Sequence, residues 1–140
     1  MVNLAECISL EENELKTYNL FVYGTLQNKS TLSMVLNRKY TGDYEPATLD
    51  NFIRLRSGVY MIFQNPGSKV EGQLVRGLSL DDMERLDRYE GVPNFYRRTV
   101  VNVKLIGDVP NGAHPLTTAF VYYNGPGIKM SDFSDPLVAC

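Results

Sequence analysis

A chain of 140 residues, 44% hydrophobic and 21% charged, has the size and composition of one soluble globular domain. Its net charge of −2 gives no electrostatic footprint for nucleic acid or an anionic membrane. No apolar run reaches the roughly 18 residues of a membrane span, and the N-terminus lacks the basic start and apolar middle of a signal peptide, so a cytoplasmic protein is expected.

Residues 1–17, with Glu6, Glu11, Glu12 and Glu14, read as a polar N-terminal extension. The ordered domain is expected over 18–125, followed by a C-terminal tail over 126–140. Leu20–Tyr23 is rich in β-branched and aromatic residues and predicts a first strand. Ser30 is placed to cap a short helix through Leu36, with Leu32, Val35 and Leu36 on one face. From Tyr40 to Gln73 the pattern is mostly extended. Strands are expected at Phe52–Leu55, Val59–Phe63 and Val70–Val75, separated by the turn signals Arg56-Ser57-Gly58 and Asn65-Pro66-Gly67.

A second helix is predicted over Leu80–Tyr89. Ser79 is its N-cap, Asp82 stands at capping-box spacing, Gly91 closes it and Pro93 blocks continuation. Tyr96–Ile106 alternates as a long strand, and Thr117–Tyr123 reads as another. The stretch from Gly125 to Cys140 is expected to wrap the surface. Six or so strands and two short helices make a mixed α+β domain, and closing the sheet into a barrel would leave few exposed edges.

Cys7 and Cys140 fall outside any C-x-x-C or metal spacing; reduced thiols are the expectation, with a disulfide between the tails as the alternative. His114 is the only histidine and sits in the turn-rich Pro110–Pro115 loop, which favours an exposed loop residue over a nucleophile's base or a zinc ligand. Chemistry in this chain therefore falls to carboxylates, tyrosines, arginines and backbone groups.

Two features could carry it. At about 100° per residue, Leu80, Met83 and Leu86 share one arc of the second helix, and Glu90 projects between Leu86 and Met83. Burial and the negative end of the helix dipole would both raise the pKa of a carboxyl there, in the direction a general base needs near neutral pH. A helix fraying at Tyr89 would instead send Glu90 into water. The second feature is the corner after the first strand, Phe21-Val22-Tyr23-Gly24-Thr25-Leu26. Its backbone amides could meet an anion and Gly24 could admit a ligand to the backbone; the alternative is an ordinary strand-to-helix turn.

"FVYGTL" at 21–26, "VEGQLV" at 70–75, "LDRYEGVPNFYRR" at 86–98 and "AFVYYNG" at 119–125 together resemble the gamma-glutamylcyclotransferase-like superfamily, in its gamma-glutamylaminecyclotransferase and AIG2-like branch. The resemblance covers roughly residues 19–124. It implies a small mixed β-barrel flanked by short helices. It places the gamma-glutamyl group at Tyr23, Gly24, Thr25 and Leu26, makes Glu90 the catalytic base, and puts Tyr96 with Arg97 or Arg98 in support of the pocket, Arg98 being taken as the site residue. The chain departs from the branch at Gln27-Asn28, where a basic pair is common, and near Met61, where many members carry proline.

The implied reaction is intramolecular: the substrate's α-amine attacks its own γ-carbonyl, giving 5-oxoproline and a released amine, with no cofactor and no metal. The expected partner is a small-molecule gamma-glutamyl substrate. The alternative is a non-catalytic protein that binds a small ligand on the same fold. The leaving amine and the oligomeric state are not legible in the sequence.

Overall fold

The protein is described here by a computed structural model that covers residues 16–107 and 115–133. The expectations for most of the N-terminal extension, for Cys7 and Cys140, for His114 and for the end of the tail lie outside the described residues.

The elements run β1 (Tyr18–Val22), a 3-10 turn (Thr25–Gln27), α1 (Lys29–Leu36), β2 (Tyr44–Ser57), β3 (Val59–Leu78), α2 (Leu80–Glu90), β4 (Tyr96–Leu105), β5 (Leu116–Asn124) and a last 3-10 turn (Met130–Asp132). The strands close a barrel in the order β1-β3-β2-β4-β5. Closure comes from one parallel pairing, Leu20 with Phe120, while the other strand pairs are antiparallel. The α+β barrel with flanking helices is thus as the sequence implied. No helix among the described residues is long and apolar enough to cross a membrane.

The barrel has five strands, not six, because the three segments expected between Phe52 and Val75 are parts of one long hairpin. Ser57 pairs with Val59 across Gly58, whose φ of +73° suits the reversal. The Asn65-Pro66-Gly67 signal does mark a local turn, but the ladder resumes on the same partner strand. Pairing passes from Asp50–Lys69 to Phe52–Gln64, so Asn51 alone faces residues 65–68. Asn51 adopts φ 67° and its Oδ1 accepts from the Gly67 N–H at 3.1 Å. The result is a wide bulge inside a continuous hairpin.

Both helices start on side-chain caps. Asn28, not Ser30, caps α1: its Oδ1 accepts from the Thr31 N–H at 3.0 Å, and Ser30 is already inside the helix. Ser79 and Asp82 form the full capping box of α2. That helix runs one residue past the expected end, to Glu90, where Gly91 at φ 66° turns the chain. The Gly91 N–H reaches Arg88 O and the Val92 N–H reaches Asp87 O, which fixes the last turn.

Side chains divide by strand face. One core cluster draws on all five strands, including Phe21, Ala47, Ile62, Val103 and Val121. A second gathers opposite strand faces, including Leu20, Val22 and Met61, beneath Leu32 and Leu36 of α1 and Met83 and Leu86 of α2. β1 therefore buries both faces. Its neighbour Gly72 has no room for a side chain, since a Cβ there would strike the Val22 carbonyl. After β5 the chain packs back on the barrel through Ile128 and Phe133, the latter 5.3 Å from the Phe63 ring.

Candidate active site

The end of β1, the tip of the β2–β3 hairpin and the end of α2 converge on a cavity of about 390 Å³. Its first wall is the strand-end corner, Phe21 through Leu26. Arg56, Gly58, Val59 and Tyr60 come from the hairpin tip. Tyr89 and Glu90 end α2, and Phe95, Tyr96 and Tyr122 complete the lining.

Glu90 is held there by the helix end just described and is half-buried. Among the described residues its carboxyl has no hydrogen-bond or ion-pair partner. Burial alone pushes its pKa from 4.5 up to about 7. Three tyrosines lie close enough to feel its charge: Tyr23, Tyr96 and Tyr122, each pushed above the usual phenol range chiefly by burial.

None of these phenols gives its proton to Glu90. Tyr23 donates to Tyr122 O at 2.5 Å, Tyr96 to Tyr60 O at 2.5 Å, and Tyr122 to Asp87 Oδ1 at 2.8 Å. With those protons directed elsewhere, the phenols offer Glu90 only oxygen lone pairs. The pocket is therefore short of positive charge around its carboxyl. A ligand ammonium is the group that would complete it.

The corner supplies the opposite character. β1 stops at Val22, and the 3-10 turn follows Gly24. The turn's own bonds run from the Gln27 N–H to Gly24 O and from the Asn28 N–H to Thr25 O. Those bonds leave the Gly24, Thr25 and Leu26 amides without an acceptor inside the turn, as at any helical start. Leu26 is buried, and its carbonyl accepts from the Tyr44 hydroxyl at 2.7 Å. Gly24 has a specific packing reason: a Cβ there would lie 3.3 Å from the Tyr60 Cβ. A side chain there would press on the hairpin tip, which brings β3 against the corner.

Of the residues singled out from sequence, Tyr23, Gly24, Thr25, Leu26, Glu90 and Tyr96 line this one cavity. Arg98 does not. Its Nη1 donates to both Asp87 oxygens at 2.9 and 2.8 Å and its guanidinium covers the Phe120 ring at 4.6 Å. It reaches the cavity only through Asp87, which in turn holds Tyr122. Arg97 donates to Asn124 O at 2.7 Å and stacks on Tyr123. Sequence reasoning missed Arg56, Tyr60, Tyr89, Phe95 and Tyr122. The Arg56-Ser57-Gly58 turn signal marked the hairpin tip that carries two of them, but not its place against Gly24. Among the described residues no group of three or more His, Cys, Asp or Glu is placed to hold a metal ion.

The family model described as gamma-glutamyl cyclotransferase, AIG2-like, matches residues 20–135. AIG2-like protein C of Arabidopsis thaliana is 37% identical over 91 residues, 63% of this chain and 51% of that protein. AIG2-like protein A of the same plant is 33% identical over 94 residues, covering 65% of this chain and 54% of its own length. The chain thus spans about half the length of the curated relatives it matches. The solution structure of an Arabidopsis thaliana protein superposes with a TM-score of 0.70 at 25% identity, over 89% of this chain and 79% of the other. A structure named gamma-glutamyl cyclotransferase shares the fold, with a TM-score of 0.57 at 20% identity over 78% of this chain and 67% of its own.

Proposed function

The chain belongs to the gamma-glutamyl cyclotransferase, AIG2-like family, and on that premise we propose that it closes a gamma-glutamyl group into 5-oxoproline with release of an amine. The observation that carries this reading is Glu90: a carboxyl in a cavity, without a cationic partner among the described residues, with its pKa pushed to about 7 and opposite a corner of backbone amides.

The substrate's α-ammonium sits at Glu90 and loses a proton to it. The free amine attacks the γ-carbonyl carbon of the same molecule, the carbonyl oxygen takes the negative charge, and the C–N bond to the leaving amine breaks. Glu90 returns its proton to that nitrogen. It then takes the second proton, which the new ring nitrogen sheds on becoming an amide, and passes it to the released amine. The amine leaves as an ammonium, so no proton is gained or lost overall. Amides of the Gly24–Leu26 corner bind the α-carboxylate or the developing oxyanion; one well-placed donor of this type is worth roughly 3 kcal/mol.

Magnitudes explain why the acid is raised. An α-amine titrates near 8 and an ordinary glutamate near 4.3, so the first transfer would be uphill by about 5 kcal/mol between the free groups. A glutamate at about 7 reduces that to about 1–2 kcal/mol. Holding nucleophile and electrophile of one molecule in a curled conformer supplies much of the rest, since effective molarities on the order of 10⁵ M are reached that way.

The test is to incubate the protein with a panel of gamma-glutamyl compounds and measure 5-oxoproline. Glu90→Gln keeps size and hydrogen bonding but cannot take the proton; turnover is expected to fall by about a hundredfold or more. Full activity in that variant would remove Glu90 from the chemistry. Thermal stabilisation by these compounds with no 5-oxoproline would make the cavity a binding site only.

A further inference from the structure

Resting on the cyclotransferase reading, we propose that Asp87 is a positioning residue for the reaction: it holds the Tyr122 hydroxyl proton away from Glu90, so that the Glu90 carboxyl is free to take the substrate's ammonium. Asp87 stands one turn before Glu90 on α2, at i and i+3. Its backbone carbonyl accepts from the Val92 N–H, the bond that keeps Glu90 helical. Its carboxylate accepts from the Tyr122 hydroxyl at 2.8 Å and, on both oxygens, from Arg98. Arg98 on β4 and Tyr122 on β5 are direct cross-strand partners, so the carboxylate from α2 closes a three-way contact over that pair.

Two features separate this contact from an ordinary brace. Tyr23 and Tyr96 donate to backbone carbonyls, those of Tyr122 and Tyr60, whereas the Tyr122 proton is held by a side chain. Tyr122 lines the same cavity as Glu90, and its hydroxyl is near enough to feel that charge. Released from Asp87, this buried hydroxyl needs another acceptor. Glu90 is the carboxylate of the cavity lining, and among the described residues nothing donates to it. The second feature is Arg98. An acid one turn from Glu90 sets like charges side by side, which is unfavourable by itself. Arg98 offsets that charge, with its guanidinium over the Phe120 ring, and leaves Asp87 able to accept from the phenol. The other titratable or charged groups around Glu90 are Tyr23 of β1, Arg56 and Tyr60 of the hairpin tip, Tyr89 of α2 and Tyr96 of β4. Arg56 is exposed and lies over the Tyr60 ring. A bond from Tyr122 would favour the charged form of Glu90, bring its pKa down from about 7 and weaken it as a base.

The experiment follows two midpoints: the acid limb of kcat/KM for 5-oxoproline release, and the carbon-13 NMR titration of the Glu90 carboxyl without substrate. In the unmodified protein both are expected near 7. Asp87→Ala frees the phenol, and both should fall by about one pH unit, the effect of one hydrogen bond to a charged group. Asp87→Ala/Arg98→Ala leaves no unpaired guanidinium and should show the same fall. Asp87→Ala/Tyr122→Phe has no phenol proton to redirect, and its midpoints should return to near 7. The two double variants, compared with each other, carry the test even if Asp87→Ala alone does not fold. Midpoints that stay in place when Asp87 is removed, with activity lost, would make Asp87 a structural brace and overturn the proposal. A fall that persists without the Tyr122 hydroxyl would overturn it too, since a freed charge or a displaced helix would then be the cause. If the NMR midpoints move as expected while no gamma-glutamyl compound is turned over, the cyclotransferase reading fails and the hold of Asp87 on the phenol proton stands.

Discussion

Helix α2 carries a buried carboxyl in its first turn and a half-buried one in its last, and the surroundings treat the two in opposite ways. Asp82, in the first turn, has a side chain only 3% exposed. Burial pulls its pKa up, but bonds from Arg38 and the Ser79 N–H outweigh that and leave it below the usual aspartate value. The positive end of the helix dipole acts in the same direction. Glu90, in the last turn, has neither kind of donor, lies at the negative end, and is pushed up to about 7 by burial. Depth in the protein does not decide between an inert structural acid and a base poised near neutrality; the donors around the carboxyl do.

The largest expected effect separates these two acids by function. Glu90→Gln lowers turnover by about a hundredfold or more, whereas Asp82→Asn acts on turnover only through the folded fraction. The same contrast appears in the pH profile. Glu90 must be ionised to take a proton, so kcat/KM for a gamma-glutamyl substrate rises with pH and is half-maximal near 7, the value to which burial brings this group. An acid limb centred near 4.5 would mean that Glu90 works as an ordinary, hydrated carboxylate, and the contrast with Asp82 would lose its content.

Next in size is the structural end. Asp82→Ala removes half of the capping box and leaves Arg38 without its carboxylate. A lost cap and a broken partly buried pair together cost about 2–3 kcal/mol, Arg38 being substantially exposed. The lowered pKa fixes the sign of the pH dependence. The stabilisation is complete above the unfolded value of 3.8 and disappears as pH falls through the lower folded value. Urea denaturation should therefore show unmodified protein and variant converging at strongly acid pH. A constant gap would assign the loss to packing rather than to the charge.

Much of this contrast is legible in the sequence. The Ser79/Asp82 spacing and Gly91 are local signals, and periodicity put Glu90 on the apolar arc of its helix. What periodicity lacked was the last turn. Only the Val92-to-Asp87 bond and the left-handed Gly91 decide that Glu90 stays helical. Asn65-Pro66-Gly67 misled for the opposite reason: the turn is real, but pairing on either side of it is a non-local fact. Arg98 stands two residues along β4 from the pocket residue Tyr96, on the same strand face, and yet stays out of the cavity because the Asp87 carboxylate holds its guanidinium, a non-local pairing. Arg56 and Tyr60 stayed hidden because their place at the mouth depends on the hairpin tip folding over Gly24, which brings together residues more than thirty positions apart.

A smaller effect sharpens the contrast through stability. A carboxyl whose folded pKa lies near 7, against 4.5 when exposed, destabilises the fold once ionised. The penalty is absent below about 4.5, grows between 4.5 and 7, and is complete above 7. Glu90→Gln should thus raise the melting temperature at pH 8, by an amount equivalent to about 1–3 kcal/mol after allowance for solvent in the cavity. Near pH 4 it should change it little. Asp82 variants go the other way, losing stability at neutral pH. Equal melting temperatures for Glu90→Gln and unmodified protein at pH 8 would show a carboxylate that is already well hydrated.

The smallest expected effect concerns Tyr23, which touches the same cavity but whose hydroxyl proton is directed to the carbonyl of Tyr122. Tyr23→Phe keeps the ring and removes one buried hydrogen bond, so stability should fall by about 1 kcal/mol. Turnover should fall by less than about tenfold, because the corner acts through its amides and the proton is carried by Glu90. The two readouts separate the possible roles. A loss of stability with modest change in kcat places Tyr23 as a brace between β1 and β5. A loss in kcat as large as that of Glu90→Gln, with the melting temperature unmoved, would transfer the proton to the phenol and leave Glu90 as its neighbour. The raised pKa of Tyr23 argues against that outcome, since a phenol held well above its usual range is a poor base near neutral pH.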